Sequence, residues 1–180
     1  QARAFELRTP EDATFPAAMQ AQLCRLLARA AGSAGMAGGQ AIDLASVGER
    51  LSERQLRDMH ELKTGALLQG SVMMGAACGN PTQAEKAALE NYGAAMGLAF
   101  QVVDDILDVT SDSATLGKTA GKDALQDKPT YVSILGLERS RAHAQELLAR
   151  ALAALDGSGL SHDRTQALRA LADMVVNRAH

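Results

Sequence analysis

The sequence predicts an all-α protein, and three features of its composition lead to this fold class. Hydrophobic residues make up 47% of the 180 residues, which is enough for a sizeable core within one domain. Alanine and leucine dominate the apolar residues, and both favour helices. Only four prolines are present, so long helices can run with few interruptions, and no segment alternates as a strand does.

Helical spacing and small residues characterise the first part of the chain. Apolar residues recur every three or four positions across residues 15–32, which predicts a helix there. Residues 35–40 are rich in glycine and alanine, so another backbone or a ligand could approach them closely. A helix is then predicted over residues 41–47, ending at Gly48.

Two capping boxes predict where the next helices begin. Ser52 with Gln55 starts a helix that should run to about residue 77, where a Gly-Asn-Pro sequence stops it. Thr82 with Glu85 starts another helix, predicted to reach residue 109 with several acidic residues near its carboxyl-terminal end.

A polar segment at residues 110–129 separates these helices from the last ones. A loop of this length is more often functional or mobile than a simple linker. Helical spacing resumes over residues 130–155, with a break near Gly136, and a last helix is predicted over residues 164–177.

Charge and composition exclude several classes of protein. A net charge of -3 argues against nucleic-acid binding, which needs a basic surface. No run of 18 apolar residues is present, so we expect no membrane span. Residues 1–8 read as the end of a helix and lack the pattern of a signal peptide. Cys24 and Cys78 are far apart in sequence, which predicts two reduced thiols in a cytoplasmic protein.

An acidic cluster near the end of the long helix is the strongest functional signal. With about 3.6 residues per turn, one helix face carries Gln101, Asp104, Asp105 and Asp108. Like charges held this close repel, and a divalent cation such as Mg²⁺ relieves that repulsion. The alternative is a solvated helix surface, although the helix macrodipole disfavours anions at this end.

Lysines at three places could neutralise a phosphate. Lys118 lies in a loop where glycines flank lysines, a composition suited to phosphate oxygens, although the spacing of a P-loop is absent. Lys128 ends the same polar segment, which could equally be an ordinary solvated loop. Lys63 lies in mid-helix beside apolar residues, where it either reaches outward or pairs with an anion. Together with the aspartates, these lysines suggest a Mg²⁺-diphosphate site.

Four ordered motifs resemble those of the trans-isoprenyl diphosphate synthases, and bacterial farnesyl diphosphate synthases are the most similar. The motifs span residues 35–44, 60–67, 100–108 and 117–131, and residues 175–178 resemble the family's short basic tails. The resemblance implies an isoprenoid-synthase-type helical bundle around a central cavity. It implies an enzyme that condenses an allylic diphosphate, dimethylallyl or geranyl, with isopentenyl diphosphate to give farnesyl diphosphate. Mg²⁺ would assist ionisation, and the enzyme would be a homodimer.

The resemblance also assigns roles to individual residues. Asp104 would bind Mg²⁺ directly, Asp108 would do so directly or through water, and Asp105 completes the predicted metal set. Thr64 and Gln101 would flank the reacting carbons. Phe100 would lie near the isopentenyl group. The allylic diphosphate would be bound by Lys63, Lys118 and Lys128. The predicted catalytic residues are Lys63, Thr64 and Gln101.

One departure from the family pattern affects what this chain can do. The family's first aspartate-rich motif, its adjacent arginine pair and its upstream Gly-Lys-Arg site have no counterpart here. We therefore expect residues 1–180 to be the C-terminal part of a single polyprenyl synthase domain, incomplete at the N-terminus and inactive alone. The alternatives are a geranylgeranyl diphosphate synthase and a non-catalytic partner subunit of a prenyl synthase. Lys63-Thr64 fits chain elongation better than terpene cyclisation.

Overall fold

The computed structural model describes residues 2–10, 15–110 and 128–178, and all regular structure in these ranges is helical. No helix within them is long and apolar enough to cross a membrane. A π-helical turn, Glu61–Gly65, joins the fourth and fifth α-helices without a break. The α-helices are α1 (Ala2–Glu6), α2 (Ala17–Ala31), α3 (Met36–Ala45), α4 (Glu53–His60), α5 (Ala66–Ala77), α6 (Gln83–Thr110), α7 (Tyr131–Leu135), α8 (Leu137–Asp156) and α9 (His162–Val176).

The long helix α6 is the centre of the molecule. It packs mainly against α5 and α8, and it also contacts the π-helical turn and α9. The largest buried side chain on α6 is Tyr92, whose hydroxyl donates to the Leu168 carbonyl at 2.8 Å. A smaller apolar cluster of Leu23, Leu27 and Met74 joins α2 to α5. The main core buries residues from α4, α6, α8 and α9, including Leu56, Met59, Ala99, Val102, Leu147, Ala151, Leu155 and Ala172.

Both predicted capping boxes are present. The Ser52 backbone N–H donates to Gln55 Oε1 at 3.0 Å, and Gln55 N–H donates back to Ser52 Oγ at 3.3 Å. Thr82 and Glu85 make the same reciprocal pair at 2.6 and 3.2 Å. The predicted break between the later helices is also confirmed, because Gly136 has a φ of 81°, which suits glycine.

The start of α3 was predicted wrongly. This helix begins at Met36, not at residue 41, so the glycine-rich segment is itself helical. The close approach expected of that segment is confirmed, because a side chain at Gly39 would overlap the backbone of Lys63. Tertiary packing therefore outweighs the low helix propensity of glycine at this position.

We expect Gly97→Ala to destabilise the protein. A Cβ at Gly97 would lie 2.5 Å from Gly65 Cα, and backbone cannot move away as a flexible side chain can. The expected loss in the free energy of unfolding is about 2 kcal/mol, measured by urea denaturation. Gly75→Ala is the matched control, since open space surrounds Gly75 and alanine should stabilise that helix by about 0.5–1 kcal/mol. Equal effects of the two substitutions would contradict the close contact.

Candidate active site

The π-helical turn carries Lys63 and Thr64 to the surface of α6. Gly65 and Gly97 allow the two backbones to come close together. Thr64 Oγ1 then donates a hydrogen bond to Gln101 Oε1 at 3.0 Å, although 37 positions separate the two residues. π-Helical turns occur often at functional sites, and this one joins two of the predicted motifs.

Gln101 also forms a hydrogen bond with Asp105, which is buried. Gln101 Nε2 donates to Asp105 Oδ1 at 3.0 Å, and the backbone N–H of Tyr131 donates to Asp105 Oδ2 at 2.8 Å. The Asp105 side chain is only 2% exposed. Asp105 as a metal ligand stays a prediction, but in this structure its carboxylate lies inside the protein and both oxygens accept hydrogen bonds.

Lys63 forms an ion pair with Asp43 on α3. Lys63 Nζ lies 2.8 Å from Asp43 Oδ2, with the lysine side chain 25% exposed and the aspartate 6%. The sequence did not assign Asp43 a place in the site, although Asp43 lies within the motif at residues 35–44. The pair holds the Lys63 ammonium group beside α3.

Asp104 and Asp108 lie on a more open side of α6 than Asp105. The Asp104 side chain is 60% exposed, and its Oδ1 is 3.7 Å from Nη2 of Arg178, in the basic tail. The Arg178 guanidinium also lies over the Phe100 ring, 4.7 Å from its centroid. Asp108 is half-buried one turn further along the helix. The predicted acidic face is therefore divided between the interior and the surface.

The predicted lysines do not all share one location. Lys118 and Lys122, in the Gly-Lys loop, lie outside the described residues. Lys128 is half-buried and lines a cleft of about 320 Å³ with Glu49 and Arg50. The structure thus brings Thr64, Gln101 and Asp105 into direct contact, while Lys63 pairs with α3 and Lys128 borders a different cleft.

An apolar cleft of about 430 Å³ lies beside Phe100, between α5, α6 and α9. Arg178 is its main polar neighbour. The apolar side chains that line it include Leu68, Val72, Met96, Met174 and Val175. Such a surface suits a hydrocarbon group held next to a charged one.

His60 is a buried ionisable residue directly before the π-helical turn. Both of its ring nitrogens lack a hydrogen-bond partner among the described residues. Burial, and then the charge of Lys63, lower the pKa of His60 from 6.5 to about 4, so the ring is neutral near pH 7. Its ring stacks against Tyr131, 5.8 Å between centroids. Burial raises the pKa of Tyr131 above its ordinary value. His60 and Tyr131 both lie within motifs, at residues 60–67 and 117–131, but the sequence predicted no part in the site for either ring.

Asp104 and Asp108 have the chemistry to hold a divalent cation whose other ligands are water and the phosphate oxygens of a substrate. Within residues 2–10, 15–110 and 128–178, no three His, Cys, Asp or Glu side chains are placed to hold a metal by themselves. Mg²⁺ usually keeps several waters and takes only one or two carboxylates together with substrate phosphates. Two carboxylates one turn apart, at the open side of α6, match that smaller donor set.

Comparisons with known proteins show which family this chain belongs to. A family model described as polyprenyl synthetase matches residues 3–169. A probable farnesyl diphosphate synthase of Sinorhizobium fredii is 48% identical over 155 residues, which are 84% of this chain and 46% of the relative. Geranylgeranyl pyrophosphate synthase 4 of Arabidopsis thaliana is 39% identical over 182 residues, covering 99% of this chain and 48% of the relative.

A solved structure shares the fold. It is a geranyltransferase from Helicobacter pylori complexed with magnesium and isoprenyl diphosphate, and the two chains superpose with a TM-score of 0.76 at 33% identity. The match covers 98% of this chain and 55% of that one. The chain therefore belongs to the polyprenyl synthetase family. It spans about half the length of the curated relatives it matches.

We expect stability to fall as pH is lowered through the range set by His60. The unfolded chain takes up a proton on this ring near pH 6.5, whereas the folded protein does so only near pH 4. The free energy of unfolding is therefore not reduced by His60 above pH 6.5. It falls by about 3 kcal/mol as the pH is lowered from 6.5 to 4, because the unfolded chain takes up the proton first. Urea denaturation between pH 7 and pH 4.5 measures it. His60→Gln should flatten this dependence, and the exposed His162→Gln should not; unchanged pH dependence in His60→Gln would refute the assignment.

We expect Asp43→Asn to weaken folding by roughly 1–2 kcal/mol, because it removes the partner of a half-buried ammonium group. The control is Glu138→Gln, which breaks a surface pair with Arg141 at 3.0 Å, where Glu138 is 84% exposed. That exposed pair should contribute less than about 0.5 kcal/mol. Urea denaturation at neutral pH measures the free energy of unfolding of both variants. If Asp43→Asn loses no more than Glu138→Gln, the pair between Asp43 and Lys63 adds nothing to stability.

Proposed function

We propose that the protein carrying this chain is a prenyltransferase that joins an allylic diphosphate, dimethylallyl or geranyl, to isopentenyl diphosphate. The proposed product is farnesyl diphosphate. The observation that carries the proposal is the Thr64–Gln101 hydrogen bond, because it joins the lysine-bearing turn to the aspartate-bearing end of α6. The similarity to farnesyl diphosphate synthases and to a geranyltransferase supports the same reaction class.

The first step would be departure of the allylic diphosphate. Negative charge grows on the leaving group as its C–O bond breaks, so positive groups already in place stabilise the transition state. Mg²⁺, held by Asp104 and Asp108, would neutralise part of that charge when bound. Lys63 would bind the diphosphate oxygens in exchange for its contact with Asp43. Lys118 and Lys128 are proposed as further contacts to the same group.

The second step would form the new carbon–carbon bond. The allylic cation would lie beside the oxygens of Thr64 and Gln101, and the isopentenyl double bond, near Phe100, would attack it. Loss of a proton from the adduct completes the reaction. The apolar cleft lined by Met96 would hold the prenyl chain away from water, which would otherwise capture the cation.

A geranylgeranyl diphosphate synthase is the second candidate, since the Arabidopsis relative matches nearly the whole chain. The two enzymes differ in the length of the product and share the chemistry above. By resemblance to the family, we propose a homodimer in the cytoplasm for the whole protein, with residues 1–180 as part of one polyprenyl synthase domain.

We expect this chain to bind Mg²⁺ only together with a diphosphate. Isothermal titration of Mg²⁺ with a non-reactive allylic diphosphate analogue should give heat that disappears in Asp104→Asn and Asp108→Asn. Removing one carboxylate from a two-carboxylate donor set should weaken Mg²⁺ binding at least ~10-fold. Asp163→Asn, an exposed acidic residue on α9, is the control and should leave the heat unchanged. Absence of Mg²⁺-dependent heat in the parent chain would support a non-catalytic partner subunit instead.

We also propose that the 180-residue chain does not turn over by itself, because the relatives that carry the activity in their names are about twice as long. An assay with Mg²⁺, geranyl diphosphate and isopentenyl diphosphate, with product analysis by mass spectrometry, measures this. Appreciable turnover would overturn it, and the product length would then decide between the two synthases.

A further inference from the structure

A chain of three hydrogen bonds runs from the π-helical turn through α6 to the start of α7. Thr64 Oγ1 donates to Gln101 Oε1 at 3.0 Å, and Gln101 Nε2 donates to Asp105 Oδ1 at 3.0 Å. The Tyr131 N–H donates to Asp105 Oδ2 at 2.8 Å. Gln101 is 9% exposed and Asp105 is 2%, so little water competes for these contacts. We call this set the polar relay.

Asp105 accepts a hydrogen bond on each of its carboxylate oxygens, and this sets the direction of every bond in the polar relay. Because Oδ1 of Asp105 is an acceptor, the amide group of Gln101 must turn its NH₂ end towards Asp105. Its carbonyl end then faces Thr64, and the Thr64 hydroxyl must give its single proton to that carbonyl. The Thr64 oxygen therefore faces any other neighbour with its lone pairs and has no further hydrogen to donate.

We propose that Asp105 is a positioning residue that makes Thr64 present oxygen lone pairs, rather than an O–H hydrogen, to the reacting carbon. This inference rests on the proposed function, in which that carbon becomes positively charged. Lone pairs attract an adjacent cationic carbon, whereas a hydroxyl hydrogen aimed at it would repel it. Asp105 acts through Gln101 and does not touch substrate.

The environment of Asp105 separates its role from that of Asp104. The two residues are adjacent, yet Asp104 is 60% exposed and Asp105 is held inside by donors on both carboxylate oxygens. With both oxygens engaged, the carboxylate is fixed against rotation, and it also joins α6 to α7. A carboxylate directed inward in this way serves the polar relay rather than a cation at the surface of α6.

A reciprocal exchange of acid and amide tests the direction of the relay. In Asp105→Asn, the new amide can still accept from Tyr131, but its NH₂ group faces Gln101. Gln101 must then reverse, and Thr64 becomes an acceptor, which leaves its hydroxyl hydrogen free to point away from Gln101. Adding Gln101→Glu restores the original direction at Thr64, because the carboxylate now accepts from both sides. Gln101→Glu alone places two carboxylates together and should be the worst of the three variants.

Thermal unfolding of the 180-residue chain gives the first readout. Asp105→Asn should lower the Tm by roughly 5 °C, because neutral hydrogen bonds replace charge-assisted ones, and Gln101→Glu should lower it by more, because two carboxylates then face each other. The double variant should recover at least half of the larger loss. Asp104→Asn is the matched control and should change the Tm by less than about 2 °C. Additive losses in the double variant would overturn the proposal.

NMR spectra of chain labelled with ¹⁵N-glutamine give the second readout. The Gln101 side-chain peak is identified as the one missing from Gln101→Glu. It should move in Asp105→Asn, because the NH₂ group changes its acceptor from a carboxylate to a hydroxyl, and it should stay in place in Asp104→Asn. An unmoved peak in Asp105→Asn would contradict the reversal.

Ligand binding links the relay to the reaction. Two diphosphate analogues are compared in Mg²⁺ buffer, one with an ammonium group at the reacting carbon and one with a neutral carbon there. Asp105→Asn should weaken binding of the ammonium analogue at least ~10-fold more than that of the neutral one, and the double variant should restore the ratio. Equal weakening of both, or loss of all Mg²⁺-dependent binding without rescue, would make Asp105 a metal ligand or a structural residue. If neither analogue binds the parent chain, the proposed function fails, and the Tm and NMR results still decide the direction of the relay.

Discussion

The close backbone contact between Gly65 and Gly97 brings the π-helical turn against α6, and the hydrogen bonds of the site depend on it. Neither residue has a side chain, so the π-helical turn can approach α6 closely enough for Thr64 to reach Gln101. Gly39 allows α3 the same close approach to the other side of the turn, which places Asp43 beside Lys63. Three glycines on three elements thus allow α3, the π-helical turn and α6 to pack closely, with Thr64 bonded to α6 and Lys63 paired with α3.

The buried polar groups on and around the π-helical turn are compatible with burial because most of them are paired. Leaving a buried donor or acceptor without a partner costs about 1–3 kcal/mol, more than a typical hydrogen bond contributes. Gln101 and Asp105 satisfy each other and the Tyr131 backbone, and Lys63 is neutralised by Asp43. His60 is the exception, since burial keeps it neutral without a hydrogen bond among the described residues.

Local sequence signals predicted most of the helices and failed where tertiary contacts matter. Ser52 and Thr82 mark helix starts because the capping box is complete within four residues. The start of α3 was misplaced, since glycines disfavour a helix in isolation, and the packing of Gly39 against the Lys63 backbone is a tertiary contact. The π-helical turn had no signal, because a widened turn depends on what lies against it. Asp43 became a site residue only when α3 was placed beside that turn.

By itself, the sequence determined that this chain is all helical, that the candidate metal-binding and diphosphate-binding residues lie in ordered motifs, and which family those motifs resemble. Tertiary structure decided which of the acidic side chains are accessible. Asp104 and Asp105 are about 100° apart around α6, close enough to share a predicted face. Packing of α7 against that helix covers Asp105 and leaves Asp104 open, and helical periodicity contains no information about which side a later segment will cover.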